Sequence, residues 1–258
     1  MHVQVLGKTD EEIRMVVDGV NPQFANSLRR IMISRIPTLA VDYVDFSKND
    51  SVLYDEMISH RLGMLALKFD QKALDAKDVC ECEGKGCANC QVVFALSKKG
   101  PCMVYASDLK SSDKEISEVV HPETPIVELM PGQELKLQAV ASLGTGEDHA
   151  KHQSAHVFFR QYPKIKINGN VPENIVSVCP KHALSISGSK AAVTIDCDLC
   201  QECVHASGGK LEVTGDAEKF IFVIESISGL PAEKILLSSL DVLKGEAKEF
   251  GKQVGKLK

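Results

Sequence analysis

Several things are missing from this chain, and each absence removes a class of function. No stretch approaches the roughly 20 consecutive apolar residues that a membrane helix needs. The opening MHVQVLGKTDEE lacks the apolar core of a secretory leader, so the expected location is cytoplasmic. Positive charge is in the minority: 30 Lys and Arg face 35 Asp and Glu, a net −5. That argues against a chain that grips nucleic acid through its overall field, though a local basic patch would escape the count. The long Gly-rich fingerprints of phosphate and dinucleotide sites are absent, and Gly144-Thr145-Gly146 is too short to replace them. No nucleophile stands with a base, so no catalytic residues are expected. What remains is an ordinary soluble composition, 44% apolar and 25% charged, over 258 residues, enough for two or three domains.

Cysteine is the exception to this plainness. The nine cysteines split as four, four and one, and in a reducing compartment such sets are metal ligands rather than disulfides. Cys80, Cys82, Cys87 and Cys90 follow C-x-C-x4-C-x2-C. Two close pairs on tight turns can wrap one tetrahedral zinc, and Gly84 and Gly86 supply the backbone freedom. Four thiolates leave no open position, so the expected role is to pin the loop.

The second group is Cys179, followed by Pro180, with Cys197, Cys200 and Cys203. A bacterial-type ferredoxin repeats C-x2-C-x2-C-x3-C-P, and the fourth cysteine of each run serves the other cluster. Here the triple and its remote fourth ligand make one complete [4Fe–4S] set. The other triple should stand at 169, 172 and 175, with its fourth ligand at 207. The chain has Gly169, Pro172, Ile175 and Ser207 there. One cluster is kept and one lost, which favours a brace over an electron relay. Thiolate sets accept either metal, so structural zinc stays open at these four cysteines. Cys102 has no partner in spacing and reads as a buried apolar residue.

The rest of the chain alternates short strands and helices. Val3–Leu6 and Glu12–Val17 predict a hairpin, and Asp55–Leu65 a helix with Ile58, Leu62 and Leu65 on one face. Met103–Ala106 predicts a strand, and Ile126–Leu129 with Glu134–Val140 a second hairpin across Pro131-Gly132. His60 and Arg61 read as ordinary helix residues. His149, His152 and His156 have a spacing that a helix would turn into a triad, but the glycines beside them favour a structural loop. Phe220–Glu225 predicts a strand, and Pro231 opens a helix. In that helix Leu236, Leu240, Leu243, Ala247, Phe250 and Val254 step by 4, 3, 4, 3 and 4, a near-heptad stripe suited to another helix.

Near the start, Asn21 caps a helix whose first turn holds Pro22. Phe24, Leu28, Ile31 and Met32 form its apolar stripe, and Ile36-Pro37 ends it before a strand from Thr38 to Phe46. The segments ANSLRR, IPTLAVD and SVLYDEMISHRLGMLAL closely resemble the signature of the archaeal RNA polymerase D-subunit family. That family is the counterpart of the bacterial α subunit and the eukaryotic third-largest subunit, and the resemblance extends over about the whole chain.

The resemblance implies a non-catalytic assembly protein. It implies a pairing with the small subunit L through the first helix (Phe24, Leu28, Ile31, Met32) and the last (Leu236, Leu240, Leu243, Ala247, Phe250). The pair would be the platform for subunits N and P and the large catalytic subunits. The implied fold is α+β: a discontinuous dimerisation domain at 1–45 and 214–258, a mainly β insert at 46–163 with the zinc-type loop, and a ferredoxin-like iron–sulfur domain at 164–213. The family carries a similar cysteine loop, zinc-bound in many members. A rival reading, an iron–sulfur electron-transfer subunit of an oxidoreductase, accounts for Cys179–Cys203 but leaves the LRR segment and terminal stripe without a purpose. A zinc-loop nucleic-acid binder would explain only Cys80–Cys90.

Overall fold

The computed structural model describes residues 1–71, 73–113, 117–188 and 190–256, without the side chain of Glu173. In chain order the elements begin with β1 (His2–Lys8), β2 (Glu12–Asp18), α1 (Pro22–Ser34), β3 (Thr38–Asn49), α2 (Asp55–Gly63) and β4 (Leu67–Phe69). Then come β5 (Gln91–Lys99), β6 (Cys102–Tyr105), β7 (Lys110–Ser111), β8 (Ser117–Val119), β9 (Pro125–Leu129) and β10 (Glu134–Gly144). The last third holds β11 (Ala155–Ile167), β12 (Leu184–Ser187), β13 (Lys190–Val193), α3 (Glu202–Ala206), β14 (Leu211–Ser226) and α4 (Ala232–Gly255).

The chain divides into two compact units, residues 1–29 with 157–224 and residues 30–156 with 225–258. In the first, four strands are ordered β1-β2-β14-β11. Met15, Val16, Val17, Phe220, Ile221 and Phe222 are buried there, and Phe159 packs edge-on to Phe220 with ring centres 5.4 Å apart. Gly19 and Val20 donate their N–H groups to Glu218 O at 2.9 and 3.1 Å. In the same unit the small β12–β13 hairpin and α3 share a core that includes Val171, Ile175, Leu184, Leu211 and Val213.

The second unit is built on the sheet β3-β10-β5-β7. Along β5, Val92, Phe94 and Leu96 are buried and alternate with more exposed neighbours, the period-2 pattern of a strand with one covered face. This strand is not among those predicted from the sequence, and the predicted pairing of Ile126–Leu129 with Glu134–Val140 does not form. Instead β9 pairs with β6, while β10 lies between β3 and β5. A central strand has both edges occupied, so β10 has none left for β9.

Both expected helix starts hold. Asn21 Oδ1 accepts from Phe24 N at 2.8 Å, which caps α1. Pro231 lies immediately before α4, where a missing N–H costs nothing. The early part of α4 is anchored by buried Ala232, Ile235 and Ser239. Farther along, Glu246 pairs with Arg35 at 2.9 Å, and Arg35 also reaches Glu147 at 3.3 Å.

Candidate metal centres and partner face

The two cysteine groups are built differently. The first sits on a loop of turns between β4 and β5. Glu83, Gly84 and Gly86 all have positive φ there, so the chain reverses tightly enough to bring four sulfurs together. All four Sγ atoms lie within 4.8 Å of one another, and no other such group of ligand atoms occurs among the described residues. Cys80 and Cys87 are 3.5 Å apart, Cys82 and Cys90 3.5 Å, and Cys87 and Cys90 3.8 Å. Zn–S bonds of about 2.3 Å in a tetrahedron put the sulfurs roughly 3.8 Å apart, so this cage has the size for a single ion.

The electrostatics prepare it. Burial works against ionisation of Cys82, yet hydrogen bonds from Cys80, Cys90 and the Gly86 N–H hold its thiol down to about 6. Cys80 carries the opposite role. Its backbone bond from Cys82 favours the thiolate, but burial and bonds to the neighbouring sulfurs push it up to about 12. One thiolate among hydrogen-bonded thiols is a set that a cation completes, displacing the remaining protons. Lys77, just before the loop, pairs with Asp42 on β3, and Lys151 meets the same carboxylate at 3.0 Å.

The second group surrounds a small pocket lined by Cys179, Cys197, Cys200 and Cys203 with Ala183, Leu184, Val193 and Val213. Cys179, Cys197 and Cys203 are buried and Cys200 is exposed. Ala183 N donates to Cys179 Sγ at 3.3 Å. Leu199 and Gln201, on either side of Cys200, adopt left-handed backbone conformations. The Gln201 side chain fixes that turn by donating to Leu199 O at 3.2 Å and Val213 O at 3.0 Å. Burial raises the Cys197 and Cys203 thiols, and the other cysteines' charges raise them further. These four sulfurs are not gathered within 4.8 Å of one another as the first four are.

Two of the positions that spacing sets for a second group of ligands, 175 and 207, hold packed side chains. Ile175 is buried in the apolar core. Ser207 is buried too, its Oγ donating to Val204 O at 2.9 Å and accepting from Leu211 N at 3.0 Å.

Other sequence candidates resolve as structure. His152 is buried with Nδ1 3.0 Å from Thr38 O, while His149 Nδ1 accepts from Lys151 N at 3.0 Å and His156 is exposed, so the three imidazoles form no site. A Cβ on Gly144 would meet the His152 ring at 2.6 Å, and one on Gly146 would meet Ile33 O at 2.6 Å. Those glycines allow close packing; they do not cradle a phosphate. Arg61 donates to Ile126 O at 2.6 Å. Cys102 is half-buried rather than buried, because its thiol turns to the Lys99 carbonyl at 3.4 Å.

The two helical stripes have opposite fates. Leu28, Ile31 and Met32 are buried within this chain and Phe24 is half-buried, so the α1 stripe is not a free surface. On α4, Leu236 and Leu243 are half-buried and Ala247 is exposed. Leu240, Phe250 and Val254 are 39%, 69% and 46% exposed.

A model of the RNA polymerase Rpb3/RpoA insert domain matches residues 44–159. DNA-directed RNA polymerase subunit Rpo3 of Archaeoglobus fulgidus is 34% identical over 97% of this chain and 96% of its own length. The same subunit from Methanosarcina acetivorans is 35% identical over 97% of each chain, and that of Pyrococcus furiosus 33% over all of this chain and 98% of its own. The chain belongs to the archaeal RNA polymerase subunit Rpo3 family. No helix among the described residues is long and apolar enough to cross a membrane.

Proposed function

We propose that this chain is the non-catalytic assembly subunit of a cytoplasmic archaeal RNA polymerase, pairing with the small subunit L to form the platform on which N, P and the large catalytic subunits gather. The observation that carries the pairing is the α4 stripe. A 24-residue helix that exposes Leu240, Phe250 and Val254 at heptad spacing leaves apolar area that a facing helix would bury. The proposed domains are 1–45 with 214–258 for dimerisation, 46–163 as the insert and 164–213 as a ferredoxin-like module. The insert-domain match at 44–159 supports the middle boundary. We assign zinc to Cys80, Cys82, Cys87 and Cys90, on the size of the cage. We assign one [4Fe–4S] cluster to Cys179, Cys197, Cys200 and Cys203, on their ferredoxin-like spacing and the small, mostly apolar pocket they surround, with its N–H···S contact. Both would brace the fold. The electron-transfer alternative has no support in the full-length similarity to polymerase subunits.

The α4 stripe gives the test. Aspartate at Leu240 and Phe250 should weaken pairing with co-expressed L by at least about 100-fold, read by co-purification and titration. The isolated chain should melt unchanged, because both side chains are exposed. Leu28 and Ile31 are unsuitable targets, since a charge at these buried positions would unfold the chain itself. A heterodimer that forms undiminished with the double α4 variant would sink the assignment.

A further inference from the structure

Three of the four thiols in the second cysteine group, Cys197, Cys200 and Cys203, come from one short run. Most of that run lies between β13, which ends at Val193, and α3, which begins at Glu202, where residues 194–201 belong to no strand or helix. Such a stretch must find partners for its peptide groups outside a ladder. Cys197 N donates to Thr194 O at 3.2 Å, and Cys200 N to Asp198 Oδ1 at 3.3 Å. Two of the carbonyls are held by long side chains. Arg160, on β11, donates from Nη2 to Ile195 O at 2.6 Å. Gln201 donates from Nε2 to Leu199 O at 3.2 Å and to Val213 O, on β14, at 3.0 Å. β11 and β14 are neighbours in the four-stranded sheet. The run is therefore fastened to two adjacent strands, once ahead of Cys197 and once behind Cys200.

The backbone around Cys200 needs that fastening. Leu199 and Gln201 have φ of 62° and 68°, in the left-handed region where a Cβ crowds the following carbonyl. Neither is glycine, so the turn is held by its surroundings rather than by its own preference. Gln201 supplies most of the hold. Its side chain closes the turn across Cys200 and reaches β14 with the same nitrogen. Both of those partners are carbonyl oxygens, so only the amide nitrogen can face them. Its own carbonyl accepts from Val204 N at 2.9 Å and His205 N at 3.1 Å, which starts the helix that carries Cys203. Cys179, Cys197 and Cys203 are buried and kept in place by packing, whereas Cys200 is exposed and depends on its backbone.

We propose that Gln201 is a positioning residue that keeps Cys200 in place as a ligand of the iron–sulfur site. Its amide fixes where the exposed thiol stands before any metal arrives, so that loading does not have to order the turn. The proposal rests on the iron–sulfur assignment above.

The full chain, prepared anaerobically, tests this through the rate at which iron passes to an excess of an iron(II) chelator. Gln201→Glu keeps the size of the side chain but sets a carboxylate against two carbonyl oxygens. Gln201→Gly removes the side chain and suits the left-handed backbone. Both should release iron about tenfold faster than the unsubstituted chain, the order of loss expected when a group that orients a metal ligand is removed. Alkylation of Cys200, read by mass spectrometry, should accelerate by a similar factor. Arg160 still holds Ile195 in both variants, so hydrogen exchange in β12 and β13 should stay as slow as before. Release at the original rate in either variant overturns the proposal and leaves the iron–sulfur assignment intact. Faster release accompanied by lost protection in β12 and β13 overturns it too, because Gln201 would then only hold the fold together. A variant that never loads iron yet keeps that protection supports it in the extreme. An unsubstituted chain that holds no iron overturns both the proposal and the assignment.

Discussion

Cys80, Cys82, Cys87 and Cys90 come from eleven consecutive residues and their sulfurs all lie within 4.8 Å. Cys179 is eighteen residues from Cys197, and its group stands around an apolar pocket without reaching that closeness. Both groups have four thiols, yet chain geometry sorts them. A short loop with three positive-φ residues can only close on something the size of one ion. The second group is split between the approach to a hairpin (Cys179), the turn before α3 (Cys197, Cys200) and α3 itself (Cys203), and its thiols are not gathered in that way. The first group is a clasp on a loop beside a sheet that has its own core. The second is part of the core, because Cys179, Cys197 and Cys203 belong to the same buried cluster as Ile175 and Leu211.

That difference predicts unequal damage. Serine at both Cys179 and Cys203 should remove about four irons per chain and destabilise residues 165–213 by at least about 4 kcal/mol, since site filling and folding are linked there. Hydrogen exchange should show that segment unprotected and β3, β10 and β5 still protected. Serine at Cys200 alone, the exposed member, should loosen the cluster while the segment keeps its protection. One zinc in place of four irons in anaerobically prepared protein would erase the distinction between the groups.

Serine at Cys87 and Cys90 should remove about one zinc and cost about 2–3 kcal/mol, with increased exchange confined to residues 75–91. Spreading of the damage into β12 and β13 would contradict the clasp picture.

The smallest effect belongs to Asp42, which tethers the first loop through Lys77. Burial opposes its ionisation, but hydrogen bonds from Lys77 and Lys151 hold its pKa down to about 2, from 3.8. A lowered acid pKa contributes stability that is complete above 3.8 and fades as the pH falls through about 2. Asp42→Asn should therefore cost about 1 kcal/mol at neutral pH, discounted because the carboxylate is partly solvated. Denaturant titrations should show that cost shrinking between pH 4 and pH 2. A difference that stays constant across that range would place the tether elsewhere.

Much of this was legible in local pattern. The Asn21 cap, the Pro231 start and the first hairpin each depend on residues within a few positions of one another, and each formed as read. Ile175 and Ser207, which spacing sets at two positions of a second ligand set, are a packed and a hydrogen-bonded side chain in the fold. The β9–β10 hairpin was not legible, because pairing depends on which edges other strands have already taken.

Sequence alone determined the grouping of the cysteines, the existence and period of α1, α2 and α4, and the polymerase family resemblance. All of these are encoded in spacing along the chain. Tertiary structure decided which apolar stripe is spent on the chain's own core and which is left over. Leu28 and Phe250 belong to equally regular patterns, but one is buried and the other is 69% exposed. Periodicity names the face of a helix that avoids water, while burial depends on what distant segments bring against that face, and no local spacing records it.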